Sequence, residues 1–116
     1  MHKKEKVRLL LTSSRGVINL GRVKSLKNNP DYDFYIVGVD ALGDRYKLPM
    51  IDEQFKVPFG REKPYLKSII EIVKKKQIDV LLPASDYEVY AIAKHVDIFQ
   101  KMGVSVVSSS FEKIAK

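Results

Sequence analysis

The chain has 116 residues, 45% of them hydrophobic and 30% charged, with a formal net charge of +7. That is enough for one domain around one core, of ordinary globular composition. There is no cysteine and there are only two histidines, which excludes a disulfide framework, a thiol nucleophile and a cysteine-ligated zinc site.

Residues 1–6 are charged and are expected to be disordered. Residues 7–12 read as a first strand containing three consecutive leucines. Ser13, Ser14, Arg15 and Gly16 form a loop with two candidate N-caps. A helix is expected over 17–27, because Val17, Leu20, Val23 and Leu26 recur near the helical period. Gly21 lies inside it. Glycine there costs about 1 kcal/mol relative to alanine, so it reads as a site of close helix–strand packing. Asn28, Asn29, Pro30 and Asp31 stop the helix. A second strand is expected over 34–39, ending at Asp40. The stretch that follows, with Gly43, Pro49, Pro58 and Gly60, leaves room for a short edge strand over 54–57.

Pro64 suits a first helical position. The helix from there to Lys76 is expected to bury Leu66, Ile69, Ile70 and Val73. Its last residues, Lys74, Lys75 and Lys76, complement the helix dipole. Ile78, Val80, Leu81 and Leu82 form an apolar run too short for a helix, of the kind buried on both faces of a parallel sheet. Pro83 ends it, and Ser85 with Glu88 has the capping-box spacing. A third long helix is expected over 87–101, burying Val89, Ile92, Ala93, Val96 and Phe99. Gly103 reads as its C-terminal cap. A last strand over 104–107 follows, and residues 111–116 begin another helix. Strands alternating with helices imply right-handed βαβ crossovers and a mostly parallel sheet of four or five strands in a three-layer α/β/α fold.

The remaining Lys and Arg residues are scattered, and aromatics are not interleaved with them. Nucleic acid is therefore not an expected partner, whereas a small anionic substrate is compatible with the charge. The apolar run at 7–11 is far too short to span a bilayer or to serve as a signal h-region. A cytoplasmic location without membrane attachment is expected.

Four segments together carry a family resemblance: Val7-Arg-Leu-Leu-Leu-Thr12, Val37-Gly-Val-Asp40, Phe55-Lys-Val-Pro58, and Ile78-Asp-Val-Leu-Leu-Pro83 followed by Asp86 and Glu88. In order and spacing they resemble the N-terminal domain that precedes the ATP-grasp domain in ATP-grasp ligases, carbamoyl-phosphate synthase large-chain-like proteins above all. Phe99-Gln-Lys-Met-Gly-Val-Ser-Val106, ahead of Ser108-Ser-Ser-Phe-Glu112, matches the approach to the ATP-grasp domain. The resemblance implies one Rossmann-like pre-ATP-grasp domain over 1–116, with 111–116 opening a connection to an ATP-grasp domain. It further implies the substrate-side domain of an ATP-dependent carboxylate–amine or carboxylate–thiol ligase, inactive alone. Its partner is an ATP-grasp domain in cis or in trans; a homodimer is compatible. ATP and Mg are expected only with that other domain, so neither a catalytic residue nor a metal ligand is assigned here. The alternatives are a stand-alone module for a nucleotide or anionic metabolite, and a docking partner of a separate ATP-grasp chain.

One segment departs from the family pattern. A glycine-rich turn of the Thr-Gly-x-Gly-Gly kind is replaced by Thr12-Ser-Ser-Arg-Gly16. Ser13 and Ser14 are candidate hydroxyl donors to an anion, and Arg15 is a candidate ion-pair partner. A plain strand–helix turn needs only a cap and Gly16. Asp40 reads either as a ribose or substrate contact or as a turn former. Asp86 and Glu88 read either as ligand contacts at the carboxyl ends of the strands or as first-turn carboxylates favoured by the helix dipole. His95 has no partner in a catalytic arrangement and reads as structural. Tyr32, Phe34 and Tyr35 read as packing residues.

Overall fold

Leu9, Leu10 and Leu11 lie at the centre of the molecule because their strand lies at the centre of its sheet. The computed structural model describes residues 4–14, 19–43 and 47–107; Arg15, Gly16 and Val17, residues 1–3 and the helix expected over 111–116 lie outside the described residues. Five parallel strands run in the order β3-β2-β1-β4-β5. They are β1 (Glu5–Thr12), β2 (Tyr32–Asp40), β3 (Glu53–Lys56), β4 (Val80–Leu82) and β5 (Ser105–Val106). In register, Leu10 of β1 stands between Val37 of β2 and Leu81 of β4.

Alternation along β1 divides the core in two. Leu10 joins Val37, Val39 and Leu81 beneath Tyr65, Ile69 and Val73 of α2 (Tyr65–Lys75), Ile92 of α3 (Asp86–Ala93) and Phe99 of α4 (Val96–Lys101). Leu9 and Leu11 join Ile36 on the other face, under Val23 and Leu26 of α1 (Asn19–Lys27) and under Leu48 and Ile51. The result is a Rossmann-like three-layer α/β domain whose strand order reverses direction between β1 and β4.

Several expectations are corrected. The strand at 78–82 shrinks to β4, and it is not buried on both faces: Leu81 is fully buried, while Val80 and Leu82 are only half-buried. Helices α2, α3 and α4 pack on Leu81's side of the sheet, whereas α1, on the other side, lies toward β2. The long helix over 87–101 is two helices. His95 leaves the helical region at φ −127°, ψ 26°, and its N–H bonds the Ile92 carbonyl at 3.0 Å. Neither proline nor glycine marks this break, and the apolar period runs through it. Leu20 is 45% exposed, and Asn19 is buried in its place. A Cβ on Gly21 would meet nothing within 4 Å, so that glycine serves no close packing. The close approach falls at Gly38 instead, where a Cβ would stand 2.6 Å from the Ser14 side chain.

Gly103 does cap the helical region, at φ +78°, with its N–H on the Gln100 carbonyl at 3.0 Å. Lys76 does more than complement a dipole. Its ammonium meets Glu53 Oε1 at 2.8 Å and lies 5.2 Å from the Phe55 ring centroid, which fastens α2 to edge strand β3. Tyr35 donates its phenol to Glu53 Oε2 at 2.7 Å, beneath the Arg8 guanidinium at 4.5 Å. Those two hydrogen bonds, Lys76 first and Tyr35 second, hold the Glu53 carboxyl below its ordinary value.

Candidate functional site

Four connections leave the carboxyl ends of the strands on one side of the sheet, where open α/β sheets bind ligands. Beyond β1 the chain turns at Ser13, whose φ of 49° lies in the left-handed region. Two contacts hold that turn. Asn19 donates from Nδ2 to the Ser13 carbonyl at 2.6 Å. The Ala84 N–H donates to Thr12 Oγ1 at 2.8 Å, joining the ends of β1 and β4.

Beyond β4, Pro83 stops the strand and Ser85 takes an extended conformation, φ −113° and ψ 158°. Its hydroxyl accepts the Glu88 N–H at 3.4 Å, so the expected N-cap forms. The Glu88 carboxylate then does something the capping pattern does not require. It accepts three hydroxyls: Ser13 and Ser85 (2.7 Å) on Oε1, and Tyr65 (2.9 Å) on Oε2. Glu88 is only 6% exposed. Tyr65, the first residue of α2, is fully buried. Burial and then the charge of Glu88 push its phenol well above the usual tyrosine range.

Gly60 completes the floor. A Cβ there would come within 3.0 Å of Glu88 Cγ and 3.2 Å of its backbone nitrogen, so only glycine lets this loop lie against the first turn of α3. The cleft measures about 360 Å³ and is lined by Ser13, Asp40, Phe59, Ser85, Tyr87 and Glu88, with Leu42 and Arg61 at its sides. Its rim is apolar and open to solvent: Leu42, Phe59 and Tyr87 are exposed, Tyr87 by 64%, and exposed Tyr90 continues the surface into the adjoining hollow.

The structure brings three of the candidate residues, Ser13, Asp40 and Glu88, into this one cleft. Asp40 performs the turn role foreseen for it: Oδ1 accepts the Leu42 N–H at 2.9 Å while its carbonyl accepts Gly43 and Val57. Ser14 does not reach the cleft. It is buried and donates to Gln54 Oε1 at 3.0 Å. Asp86 is exposed and faces the adjoining hollow with Arg61, Tyr90 and Lys94. Arg15 and Gly16 lie outside the described residues. Sequence reasoning missed Tyr65, Phe59 and Gly60. Pro64 at a helix start and a glycine between Phe59 and Arg61 were their only signals, and neither points to Glu88.

The ion pairs among the described residues, Lys27–Asp52 and Lys76–Glu53, lie at the opposite ends of the strands, and among those residues Glu88 forms no ion pair. Among the described residues no group of three or more His, Cys, Asp or Glu could hold a metal, and no helix is long and apolar enough to cross a membrane.

A three-layer α/β domain with a cleft at its strand reversal defines a class with many functions. The family comparison narrows it. The profile described as "PylC-like, N-terminal domain" matches residues 22–107, and the chain belongs to that family, the pre-ATP-grasp domain of ATP-grasp ligases. The match begins inside α1, so β1 and the unusual Ser13–Ser14 turn lie before it. Such a domain has an ATP-grasp domain as its partner. Comparison with curated proteins found no match.

Proposed function

We propose that this chain is the substrate-side domain of a cytoplasmic, ATP-dependent carboxylate–amine or carboxylate–thiol ligase of the carbamoyl-phosphate synthase-like kind. In that chemistry ATP phosphorylates a carboxylate and a nucleophile displaces the phosphate. ATP and Mg belong to the ATP-grasp domain. The cleft described above closes one side of the shared site. The observation that carries this reading is the family match joined to an open cleft at the carboxyl ends of β1 and β4.

The chemistry of the cleft supports this division of labour. A phosphate needs donors, but the Ser13 hydroxyl is directed to Glu88 and that of Ser14 to Gln54. These serines do not fit a triphosphate, so nucleotide is assigned to the partner domain. The apolar rim of Leu42, Phe59 and Tyr87 fits a surface that the ATP-grasp domain covers, in cis or in trans.

The test has two arms. The 116-residue chain with ATP and Mg should release no ADP above background in the presence of a carboxylate panel. Joined to, or mixed with, the ATP-grasp domain of the same system, it should form a complex on gel filtration and support carboxylate-dependent ADP release. ATP turnover by the chain alone, or no association with the ATP-grasp domain, overturns the reading.

A further inference from the structure

We propose that the cleft binds the ammonium group of its ligand, held by Glu88, Ser13 and Ser85, with the ligand's apolar body against Phe59, Leu42 and Tyr87. The inference rests on the substrate-side reading above and names the chemical class that this side receives.

Charge is the first argument. A nine-tenths-buried carboxylate is costly unless a cation pairs with it. Glu88 is buried to that degree, and its hydrogen-bond partners are three neutral hydroxyls. They orient the carboxylate but bring no positive charge to it. Among the described residues the cleft thus holds a buried carboxylate with no ion pair, while Arg61 lies at the side of the cleft.

Proton direction is the second argument. A carboxylate has about four lone-pair sites. Three are filled here, which leaves one on Oε2, the oxygen that accepts only Tyr65. Ser13 and Ser85 both direct their single hydroxyl proton to Glu88. Toward the cleft they present lone pairs, one of which Ser85 already gives to the Glu88 N–H. The floor thus offers acceptors from three side chains and no hydroxyl donor. A primary ammonium carries three N–H donors and one positive charge, which matches both counts. A phosphate or carboxylate would meet a buried carboxylate and find no donor from these three residues. A hard divalent cation wants six or more oxygens in a dedicated shell, and no such cluster stands among the described residues.

Shape is the third. The cleft holds about 360 Å³, and Phe59, Leu42 and Tyr87 border it on the solvent side. An apolar body extends past the charged floor to this rim, where the aromatic faces also attract a cation.

The test titrates the 116-residue chain with benzylammonium, benzyl alcohol, benzoate, inorganic phosphate and magnesium chloride. Amide shifts of Ser13, Gly60, Ser85 and Glu88 are followed by NMR. Benzylammonium should shift these amides with saturation and bind at least about tenfold more tightly than benzyl alcohol, the margin a charge-assisted hydrogen bond provides. Benzoate, phosphate and magnesium should leave them in place. Glu88→Gln should abolish the preference for the amine. Because Glu88 ties several segments together, Ser13→Ala serves beside it: it removes one acceptor, keeps the carboxylate, and should weaken benzylammonium several-fold. Equal binding of the amine and the alcohol, tighter binding of an anion or of magnesium, or no cleft shift with any probe overturns the proposal. The ligase reading fails on other measurements, ADP release and association, so the two failures are distinguishable.

Discussion

The phenol of Tyr65 and the carboxylate of Glu88 meet at 2.9 Å across 23 residues of chain. One side chain opens α2 and the other sits in the first turn of α3. The two helices that cover the same face of the sheet are thereby clasped at their cleft ends, and the clasp is buried. Its strength is that of a hydrogen bond to a charged group, not of a surface contact.

Tyr65→Phe removes that donor together with the hydroxyl's contact to buried Thr12. It should lower stability by about 2 kcal/mol, read as a lower urea midpoint at unchanged slope. It should also change the alkaline limb. The folded state holds the Tyr65 proton above the ordinary value of 10.0, so the stability it contributes is complete below that pH and is lost as pH rises beyond it. The phenylalanine variant lacks this loss. Tyr35, raised chiefly by its hydrogen bond to Glu53, acts in the same sense, so the variant's alkaline limb becomes shallower but not flat.

Two glycines make opposite predictions. Gly38→Ala drives a methyl within 2.6 Å of the buried Ser14 side chain, whose backbone N–H is tied to Val39 at 3.0 Å. It should cost about 2–3 kcal/mol as overpacking. Gly21→Ala meets nothing within 4 Å on an open part of α1. It should stabilise by about 0.5–1 kcal/mol through helix propensity. Chemical denaturation of the two variants side by side decides both signs.

Glu53 governs the acid limb. Its folded carboxyl titrates below the ordinary 4.5, held down first by Lys76 and then by Tyr35. Its stabilising contribution is therefore present above that pH and is lost as pH falls through the lower folded value. The gap in melting temperature between the parent and Glu53→Gln should close on acidification. Lys76→Met, which removes the leading cause, should flatten the same limb. If the gap persists unchanged below pH 4.5, the clasp is not what holds the edge strand.

Tyr87→Ser replaces a rim side chain that is 64% exposed. Stability should stay within about 0.5 kcal/mol of the parent. Association with the ATP-grasp domain should weaken at least about tenfold, as loss of an aromatic anchor does. Calorimetry measures the second effect and thermal melting the first.

The strands and their direction were legible because apolar runs and alternation report burial directly. Leu9, Leu10 and Leu11 could hardly belong anywhere but a central strand. The N-cap at Ser85 was legible too, being a contact three residues apart. What escaped was set by long-range geometry. Leu20 fits the helical period yet is exposed, and half-buried Val80 and Leu82 mark a thinner cover on the face of α1. The helix break at His95 carries no breaker residue. Glu88 was legible as a capping carboxylate but not as an acceptor for Ser13 and Tyr65, since those partners lie 75 and 23 residues away.

Strand order also bears on how the molecule assembles. β1 pairs with β2 across one short helix, but its other neighbour is distant: Arg8 and Asp79, bonded at 2.9 Å where β1 meets the start of β4, are 71 residues apart. Closing so long a loop is entropically slow, and chains dominated by such contacts fold slowly. The unit β1-α1-β2 can gather early, whereas β4 docks only after α2 has carried the chain back across the sheet. The seam between β1 and β4 therefore joins residues far apart in the chain. Because Glu88 receives hydroxyls from both sides of that seam, the cleft exists only in the finished fold.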